Sequence, residues 1–461
     1  MKSFMTAVAL CGLSFLLPAT AQETLSHGRF HGVKIYRPAG DTSSVALFLS
    51  SEAGWDASTE TLAQDLTKQH ALVIGIETPQ FFNNLNHSAH ECLSPDGDLE
   101  NLSHFVQGYA KLPTYHTPLL IGYRGSASFA YLMLAQAPTG TFAGAISIDF
   151  CPDIAVSKPL CRRTGLAPST RSSASGITVS PLPSLPAPWM ILQGDRDRRC
   201  PLASVRTLAK NIADVELTPI EEALQNDAAD GRRWQPLLID SYQRLAARHA
   251  TTLPTPPASL GDLPIVEVMA TGAPASRFAV ILSGDGGWAG LDRSVAAALA
   301  AKGIAVVGFD SLRYFWRART PEGLATDLDR TIRFYASHWQ KSGVILAGYS
   351  QGADVLPFAV NRLTPETRAL VARTVLIGPG KRASFEFHLG NWLGAEFGGA
   401  PILPEANLLT AGTTLCLYGA DESGSLCPQI TASNVRIEVL PGGHHFGGAY
   451  DALAARILNG L

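Results

Sequence analysis

One stretch of this chain occurs twice. Residues 46–82 align without gaps with residues 279–315, at a constant offset that places Trp55 on Trp288. Each copy consists of an apolar run, a Gly-rich or small-residue turn, an amphipathic segment and a second apolar run. That pattern predicts a strand–helix–strand unit of a mostly parallel sheet. The repeat therefore restricts the chain to a tandem α/β architecture, in which each copy supplies a sheet flanked by helices.

Two later pairs of segments extend the repeat. LLIGYRGSASFAYLMLAQ (119–136) resembles VILAGYSQGADVLPFAVNR (344–362), and WMILQGDRDRRCP (189–201) resembles LCLYGADESGSLCP (415–428). A proline-rich stretch separates the two copies and is typical of a linker. We therefore predict four parts: a signal peptide (1–21), a degenerate N-terminal domain (22–250), a linker (251–262) and a catalytic C-terminal domain (263–461).

The first residues predict export. Lys2 precedes an apolar run that is too short to span a membrane, and Ala19-Thr20-Ala21 is typical of a signal-peptidase site, so we expect the mature chain to begin at Gln22. With 46% hydrophobic and 16% charged residues and a net charge of −3, the composition excludes a disordered chain. It also excludes nucleic-acid binding through bulk basic charge.

The cysteine count agrees with an oxidising compartment. One of the seven cysteines, Cys11, lies in the signal peptide, and the remaining even number is typical of disulfides in an exported protein. Short spacing suggests two pairs and leaves two cysteines over, as follows: Cys416–Cys427, Cys151–Cys161, and the remaining Cys92 and Cys200. No Cys-x-x-Cys metal signature occurs, and we predict neither a metal nor a cofactor.

The second copy carries a candidate nucleophile. Gly348-x-Ser350-x-Gly352 follows an apolar strand and precedes a helical run, which is the setting of a nucleophile elbow. The backbone N–H of Gln351, just after the nucleophile, is the first candidate oxyanion donor. The turn SGDGGW offers the second, from Asp285 or Gly286, and we choose Gly286.

The remaining catalytic groups should follow in the order serine, acid, histidine. A turn after one late strand carries Asp421 and Glu422, and a turn after the next carries His444 and His445. We select Asp421 as the acid and His444 as the base, with Glu422 and His445 as their alternatives. In this arrangement the histidine takes the Ser350 proton, and the acid orients the imidazole and stabilises its charged form.

The first copy has lost this chemistry. Arg124 stands where the second copy has Ser350, and no Gly-Gly-His turn precedes the linker. Ser126 is displaced by two positions and is not an elbow serine. We therefore expect the first copy to serve packing, substrate capture or partner binding.

The motifs of the second copy resemble the AcvB/VirJ family of bacterial virulence proteins. The segments that carry the resemblance are SGDGGW (283–288), DSLRYFW (310–316), TPEGLATDL (320–328), AGYSQGADVLPF (347–358), FEFHLGNWLG (385–394), YGADE (418–422) and PGGHHF (441–446). The resemblance implies an α/β-hydrolase fold, a periplasmic location in a Gram-negative bacterium and a serine nucleophile at Ser350. It also implies an aminoacylated phospholipid substrate, chiefly lysyl-phosphatidylglycerol, from which the amino acid is released.

A cationic lysyl ester calls for an acidic pocket. Asp285, Asp310 and Asp354 lie in or near the predicted active-site turns and are our candidates for substrate binding. The run LRYFWRAR (312–319) mixes aromatic and basic side chains, a composition that suits peripheral contact with the outer leaflet of the inner membrane. The alternative functions are a general esterase, thioesterase or peptidase with the same triad, and a non-enzymatic, secretion-associated binding protein.

Overall fold

The computed structural model describes residues 23–88, 92–137, 140–160, 171–173, 176–179, 181–221, 231–252, 258–387 and 399–461. The predicted signal peptide lies outside the described residues. Within them, no helix is both long and apolar enough to cross a membrane.

The first half contains eleven described strands and six described α-helices. The strands are β1 (Glu23–His27), β2 (Phe30–Tyr36), β3 (Ser44–Leu49), β4 (Ala71–Ile76), β5 (Leu119–Tyr123), β6 (Gly144–Ile148), β7 (Asp153–Ile154), β8 (Arg171–Ser173), β9 (Gly176–Thr178), β10 (Trp189–Gly194) and β11 (Val215–Ile220). The helices are α1 (Ala57–Thr67), α2 (Thr78–Asn86), α3 (Pro95–Tyr109), α4 (Ala127–Gln136), α5 (Leu202–Ala209) and α6 (Gly231–Thr252).

The second half repeats the alternation of strands and helices. Its described strands are β12 (Ile265–Val268), β13 (Arg277–Leu282), β14 (Ala305–Phe309), β15 (Gly343–Tyr349), β16 (Val371–Ile377), β17 (Arg382–Ala383), β18 (Ala400–Pro401), β19 (Thr413–Gly419) and β20 (Val435–Leu440). Its described helices are α7 (Gly290–Ala301), α8 (Ser311–Tyr314), α9 (Pro321–His338), α10 (Gln351–Asn361), α11 (Pro365–Arg368), α12 (Ile402–Asn407) and α13 (Tyr450–Leu458).

Each half has one large sheet, and the two sheets have the same topology. The first has the order β1-β2-β4-β3-β5-β6-β10-β11 and the second the order β12-β14-β13-β15-β16-β19-β20. Without the edge strand β1, the two orders correspond strand for strand. The strands β2 and β12 run antiparallel to their neighbours, and the following strands are parallel. The prediction of two mostly parallel sheets flanked by helices is confirmed.

The internal repeat also fixes strand register. Ala46 lies opposite Val73 in the first sheet, and the aligned residues Ala279 and Val306 lie opposite each other in the second. Both central strands, β5 and β15, are buried at every residue, because helices cover both faces of each sheet. Successive residues of a strand therefore enter apolar clusters on opposite faces.

The disulfides agree with the prediction in one pair and contradict it in another. Cys416 and Cys427 are bonded, with their Cα atoms 5.7 Å apart, as predicted. Cys151 is bonded to Cys200, at a Cα separation of 5.5 Å, so the predicted pairing of Cys151 with Cys161 is wrong. The reason is that β6 and β10 are parallel neighbours, and the residues after their carboxyl ends meet at the same edge of the sheet. Cys92 is also disulfide-bonded.

The aromatic and basic segment 312–319 contacts the first half of the chain. Trp316 Nε1 donates a hydrogen bond to the Leu112 carbonyl oxygen at 2.5 Å, and Arg317 Nε donates to that of Pro113 at 3.3 Å. The segment therefore contributes to packing between the two halves. Its contact with a membrane stays a prediction.

Candidate active site

Ser350 lies in a sharp turn between β15 and α10. Its backbone has φ 50° and ψ −118°, a left-handed φ that is unusual for a residue other than glycine. The flanking glycines allow this turn, because a Cβ atom on Gly348 would lie 2.3 Å from the Gly352 carbonyl oxygen. One on Gly352 would lie 2.2 Å from that of Leu282. The strand, strained turn and helix together have the geometry of a nucleophile elbow.

A histidine–carboxylate pair lies on the turns after β19 and β20. His444 Nδ1 is 2.6 Å from Glu422 Oε1, and the Glu422 side chain is only 12% exposed. The second oxygen of Glu422 accepts a hydrogen bond from the Gly419 N–H at 3.3 Å. Such a carboxylate can orient the imidazole and stabilise its protonated form.

The structure corrects the predicted acid. Asp421 is exposed, and its backbone N–H donates to the Gly442 carbonyl oxygen, whereas Glu422 folds back over the end of β19 towards His444. Glu422 therefore replaces Asp421 as the candidate acid. The choice depends on the direction of one tight turn, which two adjacent carboxylates in a sequence do not reveal.

The second histidine of the pair has a different partner. His445 is exposed, and its Nδ1 lies 2.9 Å from the Tyr349 hydroxyl oxygen. The Tyr349 ring also packs at a tilt against the His444 ring, with centroids 5.1 Å apart. Tyr349 directly precedes the candidate nucleophile, so these two contacts join the turn that carries His444 and His445 to the elbow. Sequence reasoning did not identify this role of Tyr349.

The candidate base lies beside the end of β16, the strand next to β15, which leads to the candidate nucleophile. Gly378, at the end of β16, makes room for the imidazole: a Cβ atom there would lie 2.9 Å from His444 Cε1. The Ser350 N–H donates to the carbonyl oxygen of Ile377, the residue directly before Gly378. Both residues are described, and no hydrogen bond joins Ser350 to His444. Such contacts are often loose before substrate binds.

The turn 284–287 lies beside the elbow. Its Gly287 N–H donates to the Gly284 carbonyl oxygen at 3.1 Å, and a Cβ atom on Gly284 would lie 3.4 Å from Ser350 Cβ. Gln351 is the first residue of α10, where a helix leaves backbone N–H groups without intrahelical acceptors. The structure thus places the predicted donor segments, around Gln351 and Gly286, on two sides of Ser350.

Two of the three predicted substrate carboxylates lie close to Ser350. Asp285 belongs to the turn 284–287, and Asp354 to the first turn of α10. Asp285 is exposed, and partial desolvation of its carboxyl group by the surrounding chain raises its pKa, an effect that the nearby His444 opposes. Burial raises the pKa of Asp354 well above its ordinary value, although the Gly380 N–H donates to its Oδ1 at 2.7 Å. The charges of Asp285 and Glu422 raise the pKa of Asp354 further.

The third carboxylate has structural partners. Asp310 Oδ1 caps α8 by accepting the Arg313 N–H at 3.1 Å, and its Oδ2 pairs with Arg313 Nε at 3.3 Å. A Cβ atom on Gly287 would lie 3.0 Å from the same Oδ1, so the carboxyl also lies against this turn. These contacts indicate that Asp310 stabilises the local structure beside the turn 284–287. We therefore leave it out of the proposed substrate site.

A buried carboxyl group behind the turn was missed by sequence reasoning. Asp292 is 3% exposed and lies near the Gly284 N–H, which opposes the rise in its pKa. Burial raises its pKa well above the ordinary value. Its position in the first turn of α7 resembles ordinary helix capping, so no sequence signal distinguished it.

In the first half, the corresponding site lacks the reactive groups. Arg124 adopts a left-handed φ of 53°, close to that of Ser350, and its Nε lies 3.9 Å from Asp149. The elbow geometry is therefore retained without a nucleophile. Among the residues that the structure describes in either half, no group of histidine, cysteine and acidic side chains could hold a metal ion.

The sheet order, the elbow and the chain order Ser350, Glu422, His444 define the second half as a domain of the α/β-hydrolase class. The first half shares the sheet order and the elbow backbone. Residues 276–461 match the family described as bacterial virulence protein (VirJ). No curated protein matches the chain.

Solved structures give distant matches. Est1E from Butyrivibrio proteoclasticus is 12% identical, with a TM-score of 0.30, and the match covers 42% of this chain and 90% of that one. An α/β serine hydrolase homologue from Coxiella burnetii is 17% identical, with a TM-score of 0.31 and coverages of 50% and 97%. The esterase Est2 from Thermogutta terrifontis is 15% identical, with a TM-score of 0.35 and coverages of 50% and 93%.

Proposed function

We propose that this chain is a periplasmic serine hydrolase that cleaves the aminoacyl ester of lysyl-phosphatidylglycerol, releasing lysine and phosphatidylglycerol. The observation that carries the hydrolytic part is the strained elbow at Ser350, flanked by a histidine that a buried carboxylate holds at 2.6 Å. A serine at such a turn together with a histidine–carboxylate pair is the arrangement of a serine-hydrolase triad.

The proposed reaction follows the serine-hydrolase sequence of steps. Ser350 Oγ attacks the lysyl carbonyl carbon while His444 Nε2 takes its proton, and Glu422 stabilises the imidazolium. Backbone N–H groups at Gln351 and in the turn 284–287 bind the oxyanion that forms. The phosphatidylglycerol oxygen then leaves with the proton from His444. Water, deprotonated by the same histidine, attacks the lysyl–enzyme ester and releases lysine.

The carboxylates beside the elbow support a cationic acyl group. Asp285 and Asp354 have raised pKa values because the surrounding chain partly desolvates their carboxyl groups. An ammonium group placed between them would lower both pKa values and would be bound in return. A neutral fatty acyl chain would gain nothing from these groups.

The compartment is supported by the disulfides. The bonds Cys151–Cys200 and Cys416–Cys427 belong in an oxidising environment such as the bacterial periplasm. Together with the predicted signal peptide, they favour export from the cytoplasm.

The test is lysine release from vesicles that contain lysyl-phosphatidylglycerol, with purified wild-type chain and Ser350→Ala. We expect lysine and phosphatidylglycerol to accumulate in equal amounts with the wild type only. A neutral acetyl ester tests the same site without the cationic group. Hydrolysis of the acetyl ester without lysine release would reject the substrate, and hydrolysis of neither would reject the enzyme in favour of a binding protein.

A further inference from the structure

The turns before α1 and α7 place an acidic residue at the same backbone position in both halves. The Gly54 N–H donates to the Ser51 carbonyl oxygen at 3.1 Å, as the Gly287 N–H does to that of Gly284. Both of these glycines have a positive φ, 94° and 78°. Glu52 and Asp285 therefore stand at equivalent points of the same turn.

In the first half, this acidic side chain covers the backbone amide after the elbow. Glu52 Oε2 accepts the Gly125 N–H at 2.8 Å. Gly125 follows Arg124 just as Gln351 follows Ser350, so its N–H corresponds to the proposed oxyanion donor. The first half thus fills the equivalent of an oxyanion hole with its own carboxylate.

In the second half, the shorter side chain turns elsewhere. The Asp285 carboxyl lies near the backbone N–H groups of its own residue and of Gly286, which oppose the rise in its pKa. Among the described contacts, none joins it to the Gln351 N–H. Aspartate has one methylene less than glutamate, so from the same turn its oxygens reach less far towards the elbow.

The residue after the elbow contributes to the difference. A Cβ atom on Gly125 would lie 2.9 Å from both Cβ and Oε2 of Glu52, closer than such atoms approach in proteins. The covered amide therefore requires glycine at position 125. Gln351 carries a Cβ atom, which excludes the same close approach of the turn in the second half.

We propose that the pair Glu52 and Gly125 closes the oxyanion site of the first half, and that the pair Asp285 and Gln351 keeps that of the second half open. The first half is inactive for two separate reasons, the absent nucleophile and the covered amide. The catalytic part of this inference rests on the proposed function. The structural part, which amide is covered, does not.

The test transplants the closed pair into the second half. We compare Asp285→Glu/Gln351→Gly with Asp285→Asn/Gln351→Gly, which has the same glycine but a side chain too short to cover the amide. With a neutral acetyl ester, the glutamate variant should have a kcat about 10²-fold below that of the asparagine variant, at similar KM, since one oxyanion donor is worth about that factor.

Amide hydrogen exchange at residue 351, resolved by NMR, provides the second readout. Exchange should be slower in the glutamate variant than in the asparagine variant, because only the glutamate side chain is long enough for its oxygen to reach the amide. The reciprocal change Glu52→Asp/Gly125→Gln should speed exchange at residue 125 and leave ester hydrolysis unchanged.

Equal exchange at residue 351 in the two second-half variants would overturn the inference, even if the wild type hydrolysed no ester. Slower exchange with equal kcat on the neutral ester would also overturn it, because the covered amide would then carry no catalysis. Absence of wild-type hydrolysis with slowed exchange would reject the proposed function and retain the closure of the site.

Discussion

The two halves of this chain show which parts of a hydrolase domain the fold needs and which the chemistry needs. Both keep the seven-strand order, the turn after the first parallel strand and a left-handed elbow residue. Both place a tryptophan of that turn against a glycine of the next strand. The second half alone has a serine at the elbow and, among the described residues, a histidine held by a carboxylate.

The retained elbow in the first half is informative because it is strained. Arg124 has φ 53° although no nucleophile needs that conformation there. Gly122 still passes close to the Ser126 carbonyl oxygen, as Gly348 does to that of Gly352. Strand-to-helix packing therefore maintains the turn by itself, and catalysis requires only a few side chains on it.

The largest expected effect separates the two elbows. Ser350→Ala should lower kcat about 10⁴–10⁶-fold, because the chemistry loses its nucleophile. Arg124→Ala should leave kcat unchanged. Arg124→Ser in the Ser350→Ala background should restore nothing, since the first half has no partner histidine. Initial rates of ester hydrolysis check all three variants. Activity restored by Arg124→Ser in the Ser350→Ala background would show that the first half has the other catalytic groups.

The next effect separates two adjacent carboxylates. Glu422→Gln should lower kcat about 10⁴-fold, as expected when the group that orients the histidine is neutralised. Asp421→Asn should change it little, because Asp421 is exposed and away from His444. Steady-state kinetics of the two variants decide the assignment, and the reverse result would restore Asp421 as the acid.

A smaller effect compares the supports of the equivalent turns. Glu77 lies against Gly54 and accepts the Trp55 N–H at 3.2 Å, and Asp310 lies against Gly287 and accepts the Arg313 N–H at 3.1 Å. Glu77→Ala and Asp310→Ala should each reduce the free energy of unfolding by about 1–3 kcal/mol, because a backbone N–H loses its acceptor. Urea denaturation measures this loss.

The activity of these two variants should differ. Only Asp310→Ala should also slow hydrolysis, because its turn lies beside Ser350. An equal loss of activity with Glu77→Ala would mean that the first half acts directly in catalysis.

The smallest effect is a pH dependence. The pKa of Asp292 is raised by burial, so its contribution to stability is fully present below its unfolded pKa and is lost as pH rises through its folded pKa. Asp292→Asn should therefore gain stability relative to the wild type as pH increases. Its counterpart by alignment, Thr59, does not titrate. Thermal unfolding at several pH values measures the difference, and a constant difference would contradict the assigned protonation.

Sequence patterns predicted the features that depend on local spacing. The repeat of apolar strands predicted two mostly parallel sheets flanked by helices, and the glycines around Ser350 indicated the elbow, because each needs only a few neighbouring residues. The partner of Cys151 was missed, since it comes from a neighbouring strand that lies distant along the chain.

The features that depend on tertiary contacts were harder to predict. The choice of Glu422 over Asp421 depends on how one turn folds back over Gly419. The composition of the segment 312–319 predicts a membrane-facing surface. In the structure, its Trp316 donates a hydrogen bond to the Leu112 carbonyl oxygen in the first half. Each case requires knowing what lies opposite the residue in space.

We propose that the chain has one catalytic site, which lies in the second half and acts through Ser350. The most direct measurement is labelling of the whole chain with a serine-reactive fluorophosphonate, followed by mass spectrometry of its peptides. We expect a single adduct on Ser350, and we expect labelling to be strongly reduced in His444→Ala and in Glu422→Gln. An adduct on a first-half serine, or no adduct at Ser350, would contradict it.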